Sequence, residues 1–138
     1  MAIQSLGYIG VNATQLDSWK GFACGVMGLE DVSDALGDDS THYYKMDYHP
    51  YRFFVQAAET DNLALCGWET NNQAGLDEVA SALTVAGVAF TWGDDALIAK
   101  RRVQNLLSFT DPAGNHHEAY WGVVSGFKVL NSPEGVIQ

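Results

Sequence analysis

Glu59-Thr60-Asp61-Asn62-Leu63-Ala64-Leu65-Cys66-Gly67-Trp68-Glu69 is the stretch in which the chain begins its own pattern a second time. Four turn-forming residues give way to an apolar segment of strand length over 63–69. A helical period follows over 76–86, with Leu76, Val79, Ala80 and Leu83 on one stripe and Gly87 as its stop. A short strand at 88–91, an irregular stretch that is first acidic and then basic, and strands at 103–110 and 117–123 complete a β-α-β-β-β unit.

The same order is legible upstream. Residues 3–11 are rich in apolar and β-branched side chains and read as a strand, and Thr14 with Asp17 three positions on reads as a helix cap. Leu16, Trp19, Phe22, Ala23 and Val26 recur at helical spacing, so they predict an apolar stripe that Gly28 brings to an end. Strands at 30–34, 42–47 and 52–57 follow. A pattern repeated once at about sixty residues is too long for a solenoid unit and points to two half-domains sharing a sheet. Either half alone would expose an apolar face. Their pairing predicts an α+β fold in which two βαβββ units form one curved mixed β-sheet, with helices packed outside and a concave face within. The expected boundaries are a single domain over 1–130, built from units at about 1–58 and 59–124, and a linker-like tail at 131–138 that contains Pro133 and Gly135.

Composition narrows the function classes. A chain of 138 residues supports one core. Its formal charge of −10, with only seven Lys and Arg, excludes a phosphate-backbone partner, which requires basic groups to displace counterions. Three of the seven cluster at Lys100, Arg101 and Arg102, and the preferred reading of that cluster is a solvated helix end. No apolar run approaches the ~20 residues of a membrane span. Met1 to Val11 holds neither a basic region nor a cleavage site, so the chain is read as cytoplasmic, with no membrane or nucleic-acid partner. Cys24 and Cys66 lack metal or redox spacing and read as small core residues.

One ordered set of motifs runs through nearly the whole chain. It begins with Ser5-Leu6-Gly7-Tyr8-Ile9-Gly10-Val11, Trp19 to Gly28 ending Val26-Met27-Gly28-Leu29, Lys45-Met46-Asp47 with Arg52, and Asp61-Asn62-Leu63-Ala64 with Gly67-Trp68-Glu69. It continues with Ala86-Gly87-Val88, Arg101-Arg102-Val103 and Asp111-Pro112-Ala113-Gly114-Asn115, closing with Glu118 and Gly122. The set resembles the amino-terminal domain of type I extradiol ring-cleaving dioxygenases, the class of dihydroxybiphenyl and dihydroxynaphthalene dioxygenases. Those enzymes belong to the vicinal oxygen chelate superfamily, together with glyoxalases and bleomycin-resistance proteins, whose domains are paired βαβββ units.

The resemblance implies cleavage of a catechol-type ring by Fe(II) and O2, in the catabolism of aromatic compounds. It places the iron in a separate carboxy-terminal domain, on two His and one Glu, a facial set that leaves positions open for substrate and O2. Carried onto this chain, the first His position falls at Tyr8, the second near Leu65 and the carboxylate at Glu118. A phenol is a poor iron ligand at neutral pH and Leu is none, so the expectation is no catalytic residue, no cofactor in this chain and a vestigial ligand position at Glu118.

Other candidates are weaker. His116 and Glu118 lie two apart on a strand and share a face, which would begin a metal site only with a third ligand. The preferred reading has His116 and His117 flanking a turn, while Glu118 accepts hydrogen bonds inside the barrel. His42 and His49 read as satisfied surface residues, with His49-Pro50 in a turn. The aromatic residues, among them Tyr43, Tyr51, Phe54, Trp68 and Tyr120, are expected mostly to pack the core, with a few docking against a neighbour. No Ser-His-Asp set or glycine-rich phosphate loop has the spacing its chemistry requires.

The leading function is therefore a non-catalytic domain of an extradiol dioxygenase. Its expected partners are a carboxy-terminal catalytic domain or another subunit, an aromatic diol as substrate of the whole enzyme, and further copies in a homo-oligomer. The alternative is a stand-alone, metal-free small-molecule binding protein of the same superfamily. A glyoxalase-type metalloenzyme ranks last, because Tyr8 and Leu65 stand where its ligands would be.

Overall fold

The computed structural model describes residues 2–37 and 39–124, so the tail expected at 131–138 lies outside the described residues. The first half runs β1 (Ile3–Ala13), α1 (Leu16–Lys20) with a π-helical continuation (Gly21–Val26), β2 (Glu30–Asp31), α2 (Ser33–Leu36), β3 (Thr41–Lys45) and β4 (Phe53–Ala57). The second runs β5 (Asn62–Thr70), α3 (Gln73–Val85), β6 (Phe90–Trp92), α4 (Asp95–Arg101), β7 (Asn105–Thr110) and β8 (His116–Trp121).

All eight strands lie in one mixed sheet ordered β2-β3-β4-β1-β5-β8-β7-β6. The halves meet where β1 and β5 pair antiparallel, while β1 with β4 and β5 with β8 run parallel. This is the curved α+β sheet of paired βαβββ units. The repeat extends further than hydrophobic period reveals, since α2 and α4 occupy the same place in each half. Gly28 and Gly87, the predicted helix stops, both take φ of +75°, a left-handed conformation that a side chain would strain.

Each side of the sheet has its own core. On one side Ala23 of the π-helical continuation packs with Ala13, Tyr44 and Val55 of the sheet, and Leu76 and Ala80 of α3 pack with Leu107 and Ala119. The opposite, concave face carries one cluster drawn from both halves: Tyr8, Tyr43, Tyr51, Phe54, Val103, Leu106 and Tyr120. Leu36 of α2 and Leu97 and Ile98 of α4 pack over that cluster.

Four local expectations are corrected. Thr14 does not cap α1: its backbone N–H and its hydroxyl both donate to Asp61 at 2.9 Å, tying the first strand's end to the turn between halves. Gln15 heads the helix instead, without a side-chain cap. The stripe through Phe22 and Val26 is broken because the π-helical continuation inserts an extra residue per turn; Ala23 stays buried, while Phe22 and Val26 rotate out to 48% and 73% exposure. The strand expected over 30–34 stops at Asp31, whose carboxylate accepts the Ser33 N–H at 2.8 Å and turns the chain into α2. The irregular acidic and basic stretch is α4. Asp94 caps it by accepting the Leu97 N–H at 2.9 Å, and Lys100 and Arg101 fall in its last turn, where cations suit the helix dipole.

Candidate functional site

Tyr8 on β1, Gly67 on β5 and Glu118 on β8 stand level across three adjacent strands, for Gly67 pairs with Tyr8 on one side and with Glu118 on the other. Gly67 has no side chain, and the Tyr8 ring lies over it: a Cβ placed there would approach the ring to 2.3 Å. The phenol spans the gap, and its hydroxyl donates to Glu118 Oε1. Rings of Tyr51, Phe54 and Tyr120 surround Tyr8 with centroids 5.5, 6.2 and 5.1 Å away. The concave aromatic cluster is thus packed against itself, as a core is.

Arg101 completes the arrangement. Its Nε and Nη2 donate to Glu118 Oε1 and Oε2 at 2.8 and 3.0 Å, a fork in which each nitrogen meets one carboxylate oxygen. The guanidinium carbon lies 4.8 Å from the centroid of Phe54, and the Tyr51 hydroxyl donates to the Arg101 carbonyl at 2.8 Å. Arg101 and Glu118 are only 6% and 4% exposed, which makes this a buried ion pair in apolar surroundings. Burial opposes the guanidinium's charge, but the hydrogen bonds and charge of Glu118 outweigh it and raise the Arg101 pKa. Burial, then the neighbouring Glu118 charge, lifts the Tyr8 phenol well above its ordinary value. One donor, Arg101 Nη1, is buried and finds no hydrogen-bond partner among the described residues.

The other sequence-derived candidates fall as follows. Leu65 is half-buried, packs against the concave cluster and lines an open groove of about 630 Å3 together with Phe90, Ser108, His116 and Glu118. It stands two residues from Gly67, the residue level with Tyr8 and Glu118. The basic cluster is not a uniformly solvated helix end: Lys100 is exposed and Arg101 is buried on Glu118. His116 and His117 open β8 directly after the turn at Asp111–Asn115 that joins it to β7, as expected of residues beside a turn. His116 is exposed against Thr110, 3.3 Å away. His117 Nδ1 accepts from Trp68 Nε1 at 2.9 Å, leaving Nε2–H to donate to Asp111 at 2.9 Å. That bond, followed by the Asn115 backbone N–H, pulls the Asp111 carboxyl down to about 2.

His42 lies within β3, half-buried, with Nδ1 lacking a hydrogen-bond partner among the described residues, so it is not a satisfied surface residue. His49 sits 3.8 Å from both Asp47 and Glu69. Cys24 and Cys66 are free and half-buried. Among the described residues no three His, Cys, Asp or Glu side chains come together as a metal site. No helix among them is long and apolar enough to cross a membrane.

Sequence reasoning missed two of these residues, Gly67 and Arg101. Arg101 had a signal: it falls four and three positions after Leu97 and Ile98, at the helical spacing that faces the core.

A ferrous ion needs several nitrogen or oxygen lone pairs converging on one point. Here the phenol of Tyr8 spends its hydroxyl as a donor, Gly67 offers nothing, and both Glu118 oxygens are engaged by a guanidinium. The residues present do not fit iron.

Residues 6–57 match the family model described as dihydroxybiphenyl dioxygenase BphC D1. Over 135 residues the chain is 38% identical to an iron-dependent extradiol dioxygenase of Rhodococcus jostii (strain RHA1), a match covering 98% of this chain and 44% of that one. It is 35% identical over 122 residues to a biphenyl-2,3-diol 1,2-dioxygenase of Sphingomonas paucimobilis, covering 88% of this chain and 40% of the relative. The crystal structure of a catechol 2,3-dioxygenase superposes with a TM-score of 0.84 at 38% identity, covering 90% of this chain and 41% of that one. The chain therefore spans less than half the length of the relatives it matches. With its paired βαβββ units in the vicinal oxygen chelate fold, this chain is similar over nearly its whole length to the first part of the extradiol ring-cleaving dioxygenases.

Proposed function

We propose that this chain is the amino-terminal, iron-free domain of an Fe(II)-dependent extradiol dioxygenase that opens catechol-type rings with O2 in aromatic catabolism. The observation that carries the reading is the occupation of Glu118 by Arg101 and Tyr8, which uses the one inward carboxylate at the three-strand level for structure. Glu118 is a vestigial ligand position, with Tyr8 and Leu65 standing where two histidines would be needed. Residues 1–130 act as one domain whose sheet supports a partner, a carboxy-terminal domain or separate subunit that carries His, His and Glu. The whole enzyme works in the cytoplasm as a homo-oligomer on an aromatic diol. The likeness to these relatives, and the share of their length that the chain leaves uncovered, support the partner domain and the aromatic diol.

The test is catechol-dependent oxygen uptake by the 138-residue chain, purified anaerobically and supplied with Fe(II). No uptake is expected from this chain by itself, and turnover that depends on Glu118 would overturn the reading.

A further inference from the structure

The Glu118 carboxylate is buried beside Tyr8, and a carboxylate out of water needs hydrogen-bonding or charged partners. Arg101 supplies a cation from within the chain. It engages both Glu118 oxygens, stacks on Phe54 and is pinned at its carbonyl by Tyr51, so three residues fix its place. The guanidinium reaches the concave face because α4 packs there through Leu97 and Ile98, one turn before Arg101. Its Nη1 is left without a hydrogen-bond partner among the described residues, as happens when one interaction, the fork onto Glu118, dictates where the group sits.

We propose that the Arg101 guanidinium takes the place of a metal cation on Glu118, so that divalent ions are kept out of this domain by an internal cation as well as by the loss of ligands. The same pairing explains how an inward carboxylate persists at the level of Tyr8 and Gly67. This role of Arg101 rests on the reading of the chain as an iron-free domain.

The test uses Co(II), whose visible absorption reports its ligands, titrated into the 138-residue chain and three variants: Tyr8→His, Arg101→Ala, and Tyr8→His/Arg101→Ala. Melting temperature is followed in parallel. Tyr8→His adds a nitrogen donor beside Glu118. The wild type and Tyr8→His are expected to take no Co(II), because Arg101 still holds the carboxylate. The double variant is expected to bind it saturably, at least about tenfold more tightly than Tyr8→His, with a raised melting temperature that a further Glu118→Gln removes. Equal uptake by Tyr8→His, or none by a folded double variant, overturns the proposal.

If circular dichroism finds the double variant unfolded, a stability cycle on Arg101→Met, Glu118→Leu and their combination decides. The combination must be more stable than either single variant, and additive losses overturn the proposal. Uptake by the wild type through Glu118 would sink the iron-free reading as well, whereas uptake by Tyr8→His beside a metal-free wild type sinks only the role of Arg101.

Discussion

Tyr8 and Gly67 are complementary across the β1–β5 pair: the phenol ring fills the space that any side chain at Gly67 would need, with ring carbons 2.3 Å from where a Cβ would stand. The ring cannot easily yield, because Glu118 holds its hydroxyl and Tyr51 and Tyr120 flank its faces.

Gly67→Ala is therefore an overpacking substitution, expected to cost about 1–3 kcal/mol in urea unfolding. Combined with Tyr8→Ala, which empties the space, its cost should shrink or vanish relative to Tyr8→Ala alone. Additive losses would show that the clash is relieved elsewhere.

Two substitutions around Glu118 should differ in a fixed order. Tyr8→Phe removes one neutral donor from an oxygen that Arg101 still serves, at a cost of about 1 kcal/mol. Arg101→Met strands a buried carboxylate, at about 3–5 kcal/mol. Equilibrium unfolding of the two variants checks the order, and the reverse ranking would contradict the central place given to Arg101.

Acid sensitivity has a traceable source in Asp111, held at about 2 against its ordinary 3.8, first by the hydrogen bond from His117. Its folded pKa lies below its unfolded one, so its contribution is present above about pH 4 and is lost as pH falls toward about 2. Asp111→Asn lacks that contribution at every pH. Its melting temperature should fall less steeply than that of the wild type across this window, and parallel curves would contradict the assignment.

Alkaline behaviour has the opposite sign. Burial is the largest cause raising the phenols of Tyr8, Tyr44, Tyr51 and Tyr120, with Tyr44 pushed up to about 12. Folded pKa values above the unfolded ones stabilise the chain below about pH 10 and lose that effect as pH climbs through the raised values. Phenolate absorbance from these four should appear together with the loss of circular dichroism. Full phenolate absorbance from a chain still folded would contradict their burial.

The fold was legible because its signals are local and doubled. A turn at Glu59–Asn62 restarts the pattern, and Gly28 and Gly87 stop corresponding helices at the same φ. What escaped depends on register and on through-space pairing. The resemblance pointed near Leu65, while the pairing of β1 with β5, which has register shifts on either side of Tyr8, brings Gly67 level with it. Arg101 sits between Lys100 and Arg102 in a run that composition alone marks as solvated. Only the packing of α4 on the concave face turns it inward. Thr14 had the chemistry of a cap, yet it was claimed by Asp61, a residue 47 positions away.

The most direct measurement is the iron content of the 138-residue chain after anaerobic loading with Fe(II) and exhaustive dialysis, compared with that of Glu118→Gln. With Glu118 committed to Arg101 and Tyr8, both proteins should retain the same negligible iron. Iron near one per chain in the wild type, lost in Glu118→Gln, would contradict the assignment of this domain's carboxylate to structure.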